Sequence, residues 1–220
     1  LSRKKISLSD KVKKTISPKT KNQEDYIRSM CENTITIGEG CSGNGKTMLA
    51  IYLACTDLLA GKIKNILITR SIVGCGKDIG SLPGRIPDKT DIYFKAQLEY
   101  LELFLGKAEL EEFRRYGMIT LIPTELLRGN TFLDTVMILD EAQNCSIQQI
   151  RLFMSRIGHG SKIVMIGDTG QSDTDFRAFG NAKRVLSDAD NIGVIDFGYH
   201  DIQRHPIIGP VLSLLENVGN

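Results

Sequence analysis

Residues 34–47 read TITIGEGCSGNGKT, a β-branched run followed by ten residues that hold four glycines and end in lysine and threonine. Glycine inside a regular element costs roughly 0.5–1 kcal/mol relative to alanine, so such crowding needs a reason. Gly40-Cys41-Ser42-Gly43-Asn44-Gly45-Lys46-Thr47 fits G-x-x-x-x-G-K-[ST], the phosphate-binding loop. Its turn must aim several backbone N–H groups at one phosphate, and side chains at the glycine positions would obstruct that approach. A helix starting at Gly45 or Lys46 points its unpaired N–H groups and positive dipole end at the same anion. The reading therefore assigns Gly40, Ser42, Gly43, Asn44 and Gly45 to the loop, Lys46 to the β- and γ-phosphate oxygens, and Thr47 to Mg²⁺.

The surrounding pattern fits this turn. TITIG (34–38), NILITR (65–70), MITLIP (118–123), TVMILD (135–140), KIVMIGD (162–168) and IGVIDF (192–197) are strand-length runs, continuous rather than alternating, as expected for strands covered on both faces. Helical stretches lie between them. GKTMLAIYLACTDLLAG puts Met48, Tyr52, Cys55 and Leu59 on one stripe and ends at a glycine. DIYFKAQLEYLELFLG ends the same way, and SIQQIRLFMSRIG runs from an N-cap at Ser146 to Gly158. Alternation of strand and helix predicts an α/β fold: a mostly parallel sheet with helices on both faces. Residues 74–91, GCGKDIGSLPGRIPDKTD, break the pattern and read as a functional loop.

Bulk properties exclude several classes. The 220 residues suit one sizeable core, and 41% hydrophobic with 25% charged content is ordinary for a globular chain. A net charge of +2 announces neither nucleic acid nor membrane by itself. No apolar run approaches the length of a membrane span or a secretory signal, and five cysteines without a C-x-x-C pair imply neither a disulfide framework nor a zinc site. A cytoplasmic protein without membrane contact is expected. Residues 1–20 are basic and poor in apolar periodicity. They read as a flexible arm, either solvated or following a phosphate backbone, ahead of a single domain over 21–220.

Triphosphate chemistry needs a metal anchor and a positioned water. In VMILDEAQ a buried strand runs into Asp140, placed to orient Mg²⁺, and Glu141, placed to act as general base. VMIGDTGQSD brings Asp168 and Gln171 to the same sheet edge, where the Gln171 amide can sense the γ-phosphate. DIQRHP carries Arg204 just before a helix that Pro206 opens at its first position. A guanidinium there stabilises charge on a transferring phosphoryl group, in its own subunit or a neighbour's. Lys77 and Arg85, with the basic arm, are the candidate nucleic-acid contacts, although no aromatic platform accompanies them.

NQEDYI, GEGCSGNGKTMLA, LITRS, IGSLPG, RGNTFLDTVMILDEAQN, GDTGQSD and DIQRHPII together resemble the PhoH-like family of phosphate-starvation-inducible ATPases, allied to superfamily 1 helicases. The blocks run in family order from about residue 20 to residue 215. The resemblance implies a RecA-like P-loop NTPase core using ATP and Mg²⁺. It places Gln23 against the adenine edge, Arg70 against a nucleic-acid strand, and Lys46, Glu141, Gln171 and Arg204 in catalysis. Ser71 and Thr169 stand where the family usually has proline. The implied activity is ATP hydrolysis coupled to single-stranded RNA or DNA. Since such motors clamp nucleotide between two RecA-like halves and this chain has length for one, a homo-oligomeric ring, hexameric by resemblance, is expected. Two alternatives stay open: a nucleotide-gated binding module with slow turnover, and a P-loop small-molecule kinase.

Overall fold

The computed structural model describes residues 12–72, 91–171 and 177–216. Six strands form one sheet: β1 Ile35–Glu39, β2 Asn65–Arg70, β3 Ile119–Pro123, β4 Thr135–Leu139, β5 Lys162–Gly167 and β6 Ile192–Asp196. Their order is β3-β2-β4-β5-β1-β6, and every neighbouring pair is parallel. The strands match the expected runs to within one or two residues at each end. Seven helices of the described residues flank them: α1 Lys21–Glu32, α2 Lys46–Leu59, α3 Lys95–Leu105, α4 Lys107–Arg115, α5 Ile147–Met154, α6 Ala178–Leu186 and α7 Ile208–Glu216.

Strand alternation divides the core in two. Ile66 and Ile68 of β2, Val136 and Ile138 of β4, and Val164 and Ile166 of β5 point to an upper face covered by α1, α2, α3 and α4. Leu67, Met137, Leu139, Ile163 and Met165 point to a lower face covered by α5 and α6. Continuous apolar strands follow directly from this two-sided burial. On the upper face α2 is buried along most of its length, including Leu49, Ile51, Ala54 and Leu58, which are absent from the expected stripe. Between two neighbouring helices and the sheet a single apolar stripe is too narrow.

Three local outcomes differ from the sequence reading. Residues 12–20 do not stand away from the domain: Val12 and Ile16 pack on the upper core, and Lys13 N–H bonds the Phe104 carbonyl at 2.7 Å. Two apolar side chains among the lysines suffice to lay the segment down. Helix α5 stops at Met154, and Gly158 is not its cap; a Cβ there would lie 2.5 Å from the Phe132 carbonyl oxygen, so the glycine serves close packing. Helix α7 begins at Ile208, two residues beyond Pro206, and the His205 ring nitrogen Nδ1 accepts the Ile207 N–H in the turn before it.

Candidate functional site

The phosphate loop joins β1 to α2 at the carboxyl edge of the sheet, where open α/β sheets bind ligands. Its glycines are needed for two physical reasons. Gly40 has φ +138°, and a Cβ on it would collide with the Phe197 carbonyl oxygen. Gly45, at φ +84°, is the N-cap of α2 in a left-handed conformation that ordinary residues reach only at a cost. Lys46 is buried, and its ammonium donates to the Gly40 carbonyl at 2.5 Å, the Cys41 carbonyl at 2.9 Å and Asn44 Oδ1 at 2.9 Å. Burial lowers the proton affinity of that ammonium, while the negative groups Asp168, Asp140 and Glu141 work to keep it charged.

Parity on the strands assembles the opposite wall. Residues 136 and 138 face upward, so Asp140, just past β4, faces upward too and meets the start of α2. Thr47 Oγ1 donates to Asp140 Oδ1 at 3.0 Å. The other oxygen, Oδ2, accepts Gln97 Nε2 at 2.6 Å. Burial raises the Asp140 carboxyl above its ordinary value, with the adjacent Glu141 adding to the shift; the bonds from Gln97 and Thr47 and the charge of Arg70 pull against it. Asp168, two residues past Ile166 on β5, is raised by burial as well and is opposed by the Gly170 N–H and Lys46.

Glu141 adopts φ +53°, ψ +42°, a left-handed conformation that costs a non-glycine residue about 1 kcal/mol. Such strain persists only where surrounding contacts enforce it. Here the Glu141 N–H bonds Asp140 Oδ1 at 3.1 Å and Gln143 Nε2 donates to Glu141 Oε2 at 2.7 Å. Gln143 Oε1 accepts the Asp168 N–H at 3.0 Å, so one amide ties the general-base candidate to the next strand end.

These groups line one cavity of about 460 Å³, together with Arg70 and Arg204. Arg204 lies over the loop of its own chain: Nη2 donates to Ser42 Oγ at 3.1 Å, and the Gln203 N–H bonds the Gly43 carbonyl at 2.9 Å. Its segment is anchored by buried Asp201, whose Oδ2 accepts Asn22 Nδ2 at 2.8 Å and the Gly198 N–H at 2.9 Å.

Gln23 sits beneath the loop, not in the cavity lining. Nε2 donates to the Asn44 carbonyl at 2.8 Å and Oε1 accepts the Lys19 N–H at 2.7 Å, so the amide ties the loop to the segment that leads into α1. Arg70 forms part of the cavity wall and donates to the Tyr93 carbonyl at 3.2 Å. Gln171 ends a short 3-10 turn, Thr169–Gln171, that follows Asp168. Lys77, Arg85 and residues 1–11 lie outside the described residues.

Sequence reasoning assigned no role to Gln97, Gln143 or Asp201. Gln97 had a usable signal, a polar residue on the buried side of α3 in line with Leu101 and Phe104. Gln143 lay inside the acidic block, but only the folded edge shows that its amide reaches the next strand.

A profile of the family described as PhoH-like protein matches residues 15–216. The chain belongs to the PhoH-like family. It is 36% identical over 203 residues to a PhoH-like protein of Bacillus subtilis (strain 168), covering 91% of this chain and 64% of that one. Against Protein PhoH of Escherichia coli (strain K12) the identity is 28% over 187 residues, 83% of this chain and 53% of the relative. This PhoH-like chain thus spans between about half and two thirds of those relatives' length. In three dimensions it is similar to the large terminase of a thermophilic bacteriophage, with a TM-score of 0.56, 12% identity, and coverage of 90% of this chain and 50% of the terminase. The same terminase in complex with ADP gives a TM-score of 0.54 at 12% identity, over 89% of this chain and 50% of that one. The fold is that of the P-loop NTPases. Among the described residues no helix is long and apolar enough to cross a membrane.

Proposed function

We propose that the chain binds magnesium-ATP in this cavity and hydrolyses it to ADP and phosphate, with turnover coupled to single-stranded RNA or DNA. One observation carries the reading. Lys46, the Thr47–Asp140 pair and a strained Glu141 come from two separate strand ends and converge on one cavity. A structural turn needs neither a buried lysine nor a buried carboxylate, both of which cost stability.

The donor set suits magnesium. Thr47 Oγ1 and Asp140 Oδ1 are hard oxygens 3.0 Å apart, close enough to serve one small cation directly or through its waters. When bound, the ion neutralises charge on the β- and γ-phosphates. The loop amides and Lys46 hold the phosphate chain, while Gln97 fixes the rotamer of Asp140. Glu141 accepts a proton from water as the water oxygen bonds to the γ-phosphorus and the bond to the ADP oxygen breaks. Gln143 occupies one carboxylate oxygen of Glu141 and leaves the other for that water. Arg204 stabilises charge spreading over the transferring group, in the site of its own chain. Gln171 takes the γ-phosphate sensor role that the resemblance implies, and Gln23 supports the loop from below, next to where the adenine lies. A homo-oligomeric ring in the cytoplasm, hexameric as the resemblance implies, would complete each site with a neighbour.

The test is an ATPase assay with and without a single-stranded RNA oligonucleotide, over a range of salt. Turnover that RNA raises and salt suppresses is expected. Turnover indifferent to RNA would leave a nucleotide-gated module, and no turnover in folded protein would contradict the enzymatic reading.

A further inference from the structure

Arg70 ends β2, and the strand's own alternation fixes the side on which it emerges. Ile66 and Ile68 point to the upper face, so Arg70 does as well. Register sets its height. Thr69 is level with Leu139, which puts Arg70 beside Asp140 on the neighbouring strand. The Asp140 N–H bonds the Thr69 carbonyl at 2.8 Å, so the two strand ends are fastened together at this level. The guanidinium therefore lines the same cavity as Lys46, Gln97, Asp140 and Glu141.

Among the described residues its hydrogen-bonding capacity is largely unspent. Nη1 donates to the Tyr93 carbonyl at 3.2 Å, while Nε is buried without a partner among the described residues. A half-buried guanidinium whose donors are mostly unengaged among the described residues, in the same cavity as a phosphate loop, suits an anion, because charge-assisted bonds are among the strongest a site can form. Loop amides take the phosphates nearer the nucleoside. The wall shared by Arg70, Asp140 and Glu141 faces the end of the phosphate chain, where the attacking water must also lie. A nucleic-acid strand running over the outer surface would not meet a side chain directed into this cavity.

We propose that Arg70 binds the terminal phosphoryl group of the bound triphosphate and is not a contact to a nucleic-acid strand. The proposal rests on the nucleotide reading of the site. It makes Arg70 a second guanidinium on the reacting group, in the same cavity as Arg204 but carried by a separate segment, the end of β2.

The test uses the full chain and the variants Arg70→Gln and Arg70→Lys. Calorimetry measures magnesium-ADP and the magnesium complex of a non-hydrolysable ATP analogue; turnover and affinity for a single-stranded RNA are measured beside them. Arg70→Gln should weaken the analogue at least about 10-fold and turnover about 100-fold, with ADP and RNA affinities held within about twofold. Arg70→Lys should recover part of the preference for the analogue, because it restores charge without the fork. An unchanged ratio of analogue to ADP affinity in Arg70→Gln, with RNA binding reduced, would overturn the proposal in favour of a strand contact. Equal loss of both nucleotides would overturn it in favour of a structural support for the wall. Failure of the wild-type chain to bind either nucleotide would sink the site reading and the proposal together, a pattern distinct from both.

Discussion

Above the sheet, α1 to α4 bury polar and charged groups at the carboxyl edge: Lys46, Gln97 and Asp140 all lie within a few residues of the core aliphatics. Below it, α5 and α6 close over Leu67, Met137, Leu139, Ile163 and Met165 with Phe153 and Phe179, all apolar and nearly inaccessible. The two faces share the same strands, one residue out of step. What separates them is parity: even-numbered positions of β2, β4 and β5 run on into Arg70, Asp140 and Asp168, and odd-numbered ones end on the uncharged Thr69, Leu139 and Gly167. The lower face supplies stability that the upper face gives up to hold charge, as expected where a binding site is built into a core.

The largest separation between the faces should appear with Glu141→Gln. Turnover should fall by about 10³-fold while magnesium-ATP still binds, measured by single-turnover kinetics and calorimetry on the same preparation. Phe153→Ala is the matching change below the sheet. It should destabilise the chain by about 3–5 kcal/mol in urea unfolding, yet leave turnover per folded molecule unchanged. If Phe153→Ala altered turnover of the folded fraction, the division of labour between the faces would be wrong.

Gln143→Met sharpens the upper-face account. It removes the bonds to Glu141 Oε2 and the Asp168 N–H, and should lower turnover by about 10-fold with little change in nucleotide affinity. Smallest is Asp140→Asn, read as stability. The folded carboxyl lies above its ordinary value of 3.8, so from that pH upward the folded state holds more proton than the unfolded chain. Stability from this group therefore falls as pH rises through that window. The variant should be about 1 kcal/mol more stable than wild type at neutral pH. The gain should shrink as pH is lowered toward 3.8, in thermal melts across that range. Gln97 can flip to suit the new amide, since its Oε1 is buried without a partner among the described residues. A variant less stable at neutral pH would show that the carboxylate is not under strain there.

Parity also explains what the sequence could and could not reveal. Strand β2 was legible end to end, because NILITR carries the consecutive apolar residues Ile66, Leu67 and Ile68, which only a doubly covered strand needs. The phosphate loop and Asp140 were legible because their residue types have few other uses together. Helix α1 was visible only as a motif: KNQEDYIRSMCE buries Tyr26 and Met30 with Gln23 and Ser29, too polar a stripe to announce itself. Helices α4 and α6 were unremarked for a similar reason, each burying only two side chains. Arg70 was legible only as a nucleic-acid contact implied by resemblance, because the register that sets it beside Asp140 is a property of the paired strands. For Gln97 the apolar side of α3 signalled burial, but its partner needed the fold itself, since nothing local links a residue of α3 to the end of β4.

The most direct measurement is calorimetric titration of magnesium-ATP into the folded wild-type chain and into Lys46→Ala. Saturable binding at one site per chain, reduced at least about 100-fold in the variant, is the result expected of a buried ammonium set over a phosphate loop. No heat from the wild type, or equal affinity in the variant, would contradict the account at its root.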